Sequence, residues 1–453
     1  MQKPTSLPWM VLGACCLTIV FLDTDCRGAD ANILLIIADD LGSDVAPGYA
    51  EGTNKPPMPI LQGLQATGVT FKNVWANPVC SPTRATLLTG RYGFRTGVQN
   101  ISQPSNTYGV SISEPSIPRA LKTQLNISSA AFGKWHIARQ DAAAPDSPPD
   151  HPILMGFSRY TGNLQGQVGN YSSWARYVNN LTLAERLTTS TTYATQDGLN
   201  EAVSWINRQG NLNWFCWLAL NTPHAPFHKP PNDLHSYDAL ADTGAANRSY
   251  FEAMSESLDT VLGRLLDSIP ASVKSKTTII FIGDNGTPTG VKRGGFRGSK
   301  DTVYEGGLRV PLVVSGPLVA SPNRTVDNVI NTTDVFATIM DIHGISLSLV
   351  NEGKTQDSVS FLPYVKNITH PAPRTTAFVD YRDLTNPAIF SRTARNDRYK
   401  LIRLTNASSA TSEEYYDLQV DALEATNILL RTLTAAEQTN IDNLRARIAE
   451  LSN

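Results

Sequence analysis

Cysteine is scarce in this chain: five among 453 residues, and three of these, Cys15, Cys16 and Cys26, fall within the first thirty positions. Only Cys80 and Cys216 remain beyond them. That excludes a disulfide scaffold, so stability must come from a hydrophobic core, which a chain of this length can build. Charge of one sign is also missing, since 38 Lys and Arg face 40 Asp and Glu for a formal net charge of −2. Such a balance lacks the basic excess of a nucleic-acid binder. With 41% hydrophobic residues it is not the composition of a disordered chain either. No apolar run reaches membrane-spanning length. The longest, Leu7–Leu22 after Lys3, is short for a span and fits a secretory signal, with cleavage near Ala29 or Ala31. The alternative is a lipid anchor at Cys15 in Leu12-Gly13-Ala14-Cys15, against which the apolar run continues past that cysteine. The expectation is a signal peptide over 1–29, a secreted or periplasmic protein and no stable membrane span. Repeats, heptads and low-complexity tracts are absent.

Short, bounded runs rich in Ile, Leu and Val are present, and they do not alternate. Ile33–Ala38, Trp214–Leu220, Thr278–Ile282 and Pro311–Val314, with Ala130–Phe132 a weaker case, read as buried strands. Between them lie helical patterns. Tyr193–Asn207 places Leu199, Val203 and Ile206 on one side; Tyr250–Ile269 does so with Phe251, Met254, Leu258, Val261, Leu262 and Leu265. Strands alternating with helices predict an α/β domain over 30–369, its mostly parallel sheet covered on both faces. From about His370 the strands Ala377–Tyr381, Ala388–Thr393, Tyr399–Leu404 and Glu414–Leu418 become shorter and are separated by polar turns. Ala435–Leu451 closes the chain as a helix. These predict a small antiparallel α+β subdomain over 370–453.

Each strand of the first domain runs into chemistry. Ile33–Ala38 is followed by Asp39-Asp40, Ala130–Phe132 by Gly133-Lys134-Trp135-His136, Trp214–Leu220 by Asn221-Thr222-Pro223-His224, and Thr278–Ile282 by Gly283-Asp284-Asn285-Gly286. Ligands of open α/β sheets sit beyond the carboxyl ends of the strands, so one cleft should collect these groups. Asp39, Asp40, Asp284 and Asn285 offer only hard oxygen ligands, which suits Ca²⁺ or Mg²⁺ and disfavours zinc; a helix cap or a solvated turn is the plainer reading of either pair alone. In Cys80-Ser81-Pro82-Thr83-Arg84, Pro82 belongs to the first turn of a helix that buries Leu87 and Leu88, leaving Cys80 at its N-terminal end. That position favours an anion and a lowered thiol pKa.

The same segment, with its continuation Ala85-Thr86-Leu87-Leu88-Thr89-Gly90-Arg91, resembles the signature of the sulfatase family. There Cys-x-Pro-x-Arg directs oxidation of the cysteine to formylglycine by a formylglycine-generating enzyme. The resemblance extends from Asn32-Ile33-Leu34 to Tyr416-Asp417-Leu418, with motifs in the family order. It departs at Pro57-Met58-Pro59-Ile60, where the family commonly shows Thr-Pro-Asn, in a segment expected to pack behind the cleft.

The resemblance implies an alkaline-phosphatase-like sandwich and a type I, arylsulfatase-like sulfuric ester hydrolase acting on a sulfated carbohydrate or aryl sulfate. It implies a calcium ion (magnesium being possible) held by Asp39, Asp40, Asp284, Asn285 and the converted Cys80. Arg84 would hold the converted side chain, and Lys134 and Lys300 the sulfate. His224, with Lys300, would protonate the departing alcohol, and His136 would deprotonate the second hydroxyl of the formylglycine hydrate. Two other readings stay open: a phosphodiester or phosphonate monoester hydrolase with the same nucleophile, and a non-catalytic glycan-binding protein. Rim loops Asp141–Gly169, Phe227–Ala245 and Thr287–Phe296 are expected to set specificity. His151, His228 and His235 are candidate rim contacts, Tyr171 and Trp174 either a sugar platform or core, and Cys216 an inert buried thiol.

Overall fold

The computed structural model describes residues 31–451 apart from 104–107, 140–148, 181–182, 239, 241–247 and 369–370. The leader and its three cysteines lie outside the described residues. Ten strands form one sheet: β1 (Asn32–Ala38), β2 (Gly68–Trp75), β3 (Ser128–Lys134), β4 (Arg159–Asn163), β5 (Trp174–Asn180), β6 (Leu183–Ser190), β7 (Trp214–Ala219), β8 (Thr277–Gly283), β9 (Leu312–Ser315) and β10 (Arg324–Asn331). Their order is β10-β2-β9-β8-β1-β7-β3-β4-β5-β6. The middle run from β8 to β4 is parallel throughout. β9, foreseen as the strand Pro311–Val314, lies antiparallel to both neighbours within the otherwise mostly parallel sheet. β5 and β6 extend the other edge as antiparallel strands.

β1 shows why the run Asn-Ile-Leu-Leu-Ile-Ile-Ala does not alternate in polarity. Ile33, Leu35 and Ile37 enter the core on one face, and Leu34, Ile36 and Ala38 the core on the other. The first face is covered by the helices Cys80–Thr89 and Asp334–Ile342, the second by Ala194–Gln209 and Arg248–Ser268. The stripe Phe251, Met254, Leu258, Val261, Leu262 and Leu265 is buried in that second core as its spacing requires. The divergent segment opens the helix Pro59–Ala66, whose N-cap residue Met58 has no side-chain oxygen to offer. Asp259 supplies the cap from the neighbouring helix, accepting from the N–H of Ile60 and of Leu61 at 2.8 Å each.

The C-terminal part is an antiparallel meander of β11 (Ala377–Arg382), β12 (Phe390–Arg395), β13 (Tyr399–Thr405) and β14 (Thr411–Asp417). The helix Ala435–Glu450, started by a Thr434/Glu437 capping box, packs Ile441, Leu444 and Ile448 against it. The meander is tied to the large sheet through a buried ionic cluster. Lys400 Nζ reaches Glu305 (3.1 Å) and Glu424 (2.7 Å), and Arg309 and Arg395 also meet Glu305. Among the described residues no helix is long and apolar enough to cross a membrane.

Candidate active site

The loops after β1, β3, β7 and β8 converge at one end of the parallel run, where the helix Cys80–Thr89 also begins. Asp40 and His136 both take left-handed backbone conformations (φ 67° and 56°) in the turns leaving β1 and β3. Such conformations are rare for residues with a Cβ and concentrate where side chains must be aimed. The Asp40 N–H donates to Asp284 Oδ1 at 3.0 Å, and the Asp284 N–H to the Ala38 carbonyl at 3.0 Å, which locks the ends of β1 and β8 together. Gly133 (φ 87°) lets β3 pass β7, since a Cβ there would meet the Ala219 carbonyl oxygen at 1.9 Å. The chain beyond it then turns Lys134 inward.

The floor of the site is a buried lattice of opposite charges. Arg84 donates through Nε (3.1 Å) and Nη2 (2.8 Å) to Asp284 Oδ2 and through Nη1 to the Lys134 carbonyl (2.9 Å). These bonds go to the acid and the backbone rather than to Cys80. Lys134 Nζ donates to both Asp39 oxygens at 2.9 and 2.7 Å. Lys300 Nζ lies 2.7 Å from Asp40 Oδ1, and Asn285 Nδ2 donates to the same oxygen at 2.7 Å. Burial, with Asp284 and Asp40 adding to it against Lys134 and Arg84, pushes Asp39 up to about 8. Asp40 is buried as well, but Lys300, His224 and Lys134 outweigh the desolvation and hold it below the usual carboxylate range. Burial works to lower the Lys300 ammonium, and Asp40 more than offsets it, leaving the ammonium above its ordinary value.

Above this floor, Cys80 Sγ lies 3.1 Å from His136 Nδ1. The His136 Nε2–H donates to the Ser102 carbonyl (2.9 Å), because a carbonyl can only accept, so the Nδ1 lone pair faces Cys80. Burial, then Lys134 and Arg84, hold His136 well below the ordinary histidine value, so the ring is neutral. The expectation of a lowered Cys80 pKa is overturned. Burial pushes the thiol up despite Lys134 and Lys300, and the helix start does not make the unmodified cysteine a thiolate. His224 donates Nδ1–H to the Ala225 carbonyl (2.8 Å), which leaves its Nε2 lone pair facing Asp40 Oδ2 at 3.8 Å. Burial also lowers it, to about 3.

Asp39, Asp40 and His224 each bring one ligand atom within 4.8 Å of the others, a group that could hold a metal ion. His224 lies beside two of the oxygen ligands foreseen, Asp39 and Asp40, and was not among them. The donor set fits a hard cation. The Asn285 Oδ1 atom is buried with no hydrogen-bond partner, while its Nδ2 is spent on Asp40 and the Gly286 carbonyl. Three carboxylates crowded in one dry space are what a divalent ion would relieve.

The site opens to solvent through a cavity of about 500 Å³ lined by Cys80, His136, His224 and Lys300. Its mouth is formed by Ile101–Gln103, Gln165–Gln167 and Asp301. Of the foreseen rim loops only the end of Asp141–Gly169 lines it among the described residues. His151 is not on a rim: it is fully buried, accepts from Trp135 Nε1–H (3.0 Å) and donates to the Val110 carbonyl (2.7 Å). Tyr171 and Trp174 are core rather than platform, and the Tyr171 hydroxyl lies within 2.7 Å of the Asn221 and His224 carbonyls, bracing the turn that carries His224. His228 packs on Tyr171 with ring centroids 4.3 Å apart, His235 lies 3.2 Å from the Pro230 carbonyl, and Cys216 is buried in the core. Sequence reasoning missed Ser102, whose carbonyl orients His136, and Gly166, which lies directly against the His136 ring. Neither carries a chemical signal of its own.

Comparison with known proteins places the chain in a family. The family pattern named Sulfatase matches residues 31–345, and the pattern described as N-sulphoglucosamine sulphohydrolase, C-terminal, matches residues 296–453. Human N-acetylgalactosamine-6-sulfatase is 28% identical over 346 residues, which cover 70% of this chain and 62% of that protein. The chain thus matches less than two thirds of that relative's length. Human arylsulfatase G is 25% identical over 434 residues, covering 85% and 78% respectively. Among solved structures, the PsFucS1 sulfatase from Pseudoalteromonas sp. gives a TM-score of 0.77 at 17% identity over 94% of this chain and 91% of that one. BT4656, solved in complex with its substrate D-glucosamine-2-N,6-O-disulfate, gives 0.72 at 18% identity over 93% and 97%. These structural likenesses are of fold, the alkaline-phosphatase-like sandwich with its small C-terminal sheet. The Sulfatase match begins just before β1 and contains every residue that converges on the floor of the opening, so the chain belongs to the sulfatase family.

Proposed function

We propose that this protein hydrolyses sulfate esters of carbohydrates, with aryl sulfates as small surrogates, using a formylglycine made from Cys80 and a bound calcium ion. The observation that carries this is the pairing of Cys80 Sγ with the His136 Nδ1 lone pair at 3.1 Å, directly above three carboxylates and three buried or half-buried cations. A relative named for an N-acetylgalactosamine sulfate and a fold neighbour solved with a disulfated glucosamine support a sugar as the substrate.

Asp39, Asp40, Asp284 and Asn285, with His224 Nε2 at their edge, would hold the ion. Bound there, it would polarise a sulfuryl oxygen and the nucleophile. Formylglycine would supply a hydrated aldehyde, one hydroxyl to attack sulfur and a second whose deprotonation releases sulfate. The chain's own groups have the following tasks. Lys134 and Lys300, aimed from two sides, offset charge on the sulfuryl oxygens. Arg84 fixes Asp284 and the Lys134 backbone, so that both stay aimed as charge moves. His136 takes a proton from the side chain at position 80 through Nδ1, and its Nε2–H stays on the Ser102 carbonyl throughout. Lys300 and His224 stand on the open side, where the alcohol leaves; the Lys300 ammonium supplies its proton, because His224 keeps its Nδ1–H on the Ala225 carbonyl and carries none on Nε2.

The test is mass spectrometry of the tryptic peptide Asn73–Arg84, combined with initial rates on matched sulfate and phosphate esters. Aldehyde or hydrate at position 80 with faster sulfate release supports the proposal. Faster phosphate release favours the phosphoester hydrolase, and an unconverted thiol in protein from its native host favours the glycan-binding reading.

A further inference from the structure

Asp301 stands beside Lys300 at the mouth of the opening, a carboxylate for which the mechanism above has no use. Its position is built rather than incidental. The backbone is left-handed there (φ 72°), a conformation that Asp and Asn tolerate better than most residues. Its N–H donates to the Pro78 carbonyl at 2.9 Å, which anchors it two residues from Cys80. The carboxylate is exposed to the opening and accepts no hydrogen bond from the described residues, while Lys300 and Asp40 both act on it electrostatically. The other exposed polar side chains at this mouth include the amides Gln165 and Gln167, which are neutral.

A site that must attract a sulfate oxyanion gains nothing from a negative charge at its entrance unless that charge acts on another part of the substrate. We propose that Asp301 is a specificity-determining residue: it accepts a hydrogen bond from a hydroxyl or amide N–H on the sugar carbon next to the sulfated one, and it repels a second anionic group placed there. The inference rests on the sulfatase reading and narrows its substrate class to glycans whose scissile sulfate has neutral, hydrogen-bond-donating neighbours. Like charges brought together in a half-enclosed opening are strongly unfavourable, and an acceptor left without its donor in the complex adds to the penalty.

The experiment compares kcat/KM for sulfate release from monosulfated hexoses and N-acetylhexosamines with kcat/KM for their counterparts carrying a second sulfate on the adjacent carbon. It uses the full chain with Cys80 shown to be converted. The wild type should favour the best monosulfated sugar by at least about tenfold. Asp301→Asn keeps the turn and removes the charge, and should bring that ratio within about threefold. Asp301→Gly keeps the turn without any acceptor, and should narrow the ratio equally while lowering kcat/KM on the monosulfated sugar. A ratio unchanged in both variants, or an equal loss on both substrates, overturns the role assigned to Asp301. Absence of sulfate release from every sugar would instead count against the sulfatase reading, a distinct outcome.

Discussion

Replacing Gly166 with alanine places a methyl carbon 2.6 Å from His136 Cε1, 2.7 Å from Nε2 and 3.2 Å from Nδ1. The glycine has no left-handed backbone conformation to protect, so the effect is one of space alone. Relaxed carbon–carbon contacts lie near 3.6 Å, so the ring or the loop must give way by about 1 Å. The ring is held at both ends, by the Ser102 carbonyl and by Cys80, and any movement of it spoils the 3.1 Å approach of Nδ1 to position 80. Misplacing a catalytic group by that amount costs on the order of 10²-fold in rate. The added methyl should cost stability only about 1–2 kcal/mol, the lower range for overpacking, because the loop lies at the mouth of the site. Gly169, in the same loop with nothing within 4 Å of its Cβ position, is the control, and Gly169→Ala should stay within about twofold of wild type. Release of 4-nitrophenol from 4-nitrophenyl sulfate gives the rate, the mass of the Asn73–Arg84 peptide normalises for conversion, and thermal unfolding reports stability. A Gly166→Ala protein that keeps more than about a third of wild-type kcat would refute the placement of His136 as the base at position 80.

Other outcomes can be stated more briefly. A base works deprotonated, and burial with Lys134 and Arg84 lowers His136. The acid limb of kcat should therefore fall below the ordinary histidine value of 6.5 and shift or vanish in His136→Gln; a limb above that value would contradict the neutral ring. Arg84→Met leaves Asp284 buried without the two hydrogen bonds that Arg84 gives it, only that from the Asp40 N–H remaining, and should cost about 3–5 kcal/mol in guanidinium unfolding. Lys400→Met takes from buried Glu424 its ion-pair partner and from Glu305 one of three cations, and should cost a similar amount, about 3–5 kcal/mol; a loss under about 1 kcal/mol would show that the cluster reorganises or protonates instead. Chelation should lower the unfolding temperature and added calcium restore it, since an ion at about 100 times its Kd stabilises by about 2.7 kcal/mol; no response to either would remove the metal from the proposal.

Much of this site can be read from the chain because its groups sit at strand ends, and a buried parallel strand announces itself as an unbroken apolar run. β1, β7 and β8 are of that kind, and the acids, amide and histidine that follow them were legible for that reason. β2, β4 and β10 escaped notice because Gly, Lys, Asn and Asp interrupt them, and β10 also shifts register between Val326 and Val329. β9 was read as a strand, but its direction is not encoded in its composition: Leu-Val-Val-Ser suits either orientation, and the partners decide. Side chains whose function lies in their own chemistry, such as Cys80 or Asp40, leave a trace in the sequence. A backbone carbonyl such as that of Ser102, or the missing Cβ of Gly166, leaves none, and only packing reveals it.

The arrangement of charges favours the proposed ion electrostatically. Asp39, Asp40 and Asp284 face Arg84, Lys134 and Lys300, and each acid is already paired at 2.7–2.8 Å. With both partners of every pair ionised the cluster is neutral, so a sulfate ester arriving above it would meet strong local fields but no net attraction. Burial above all, with Asp284 and Asp40 adding to it, raises Asp39 to about 8, so full ionisation of the three acids is unfavourable in this dry space. A divalent cation among the acids would offset that cost, satisfy the idle Asn285 Oδ1 and leave a surplus of two positive charges under the opening. Lys134 and Lys300 could then turn part of their field from their carboxylates to the substrate. Calcium and sulfate should therefore bind with positive coupling: an unreactive sulfate monoester or inorganic sulfate should bind about tenfold or more tightly when calcium is present, and calcium more tightly by the same factor when sulfate is present. Isothermal titration in both orders measures the two factors, and independent binding would show that the acids and cations do not share one electrostatic balance.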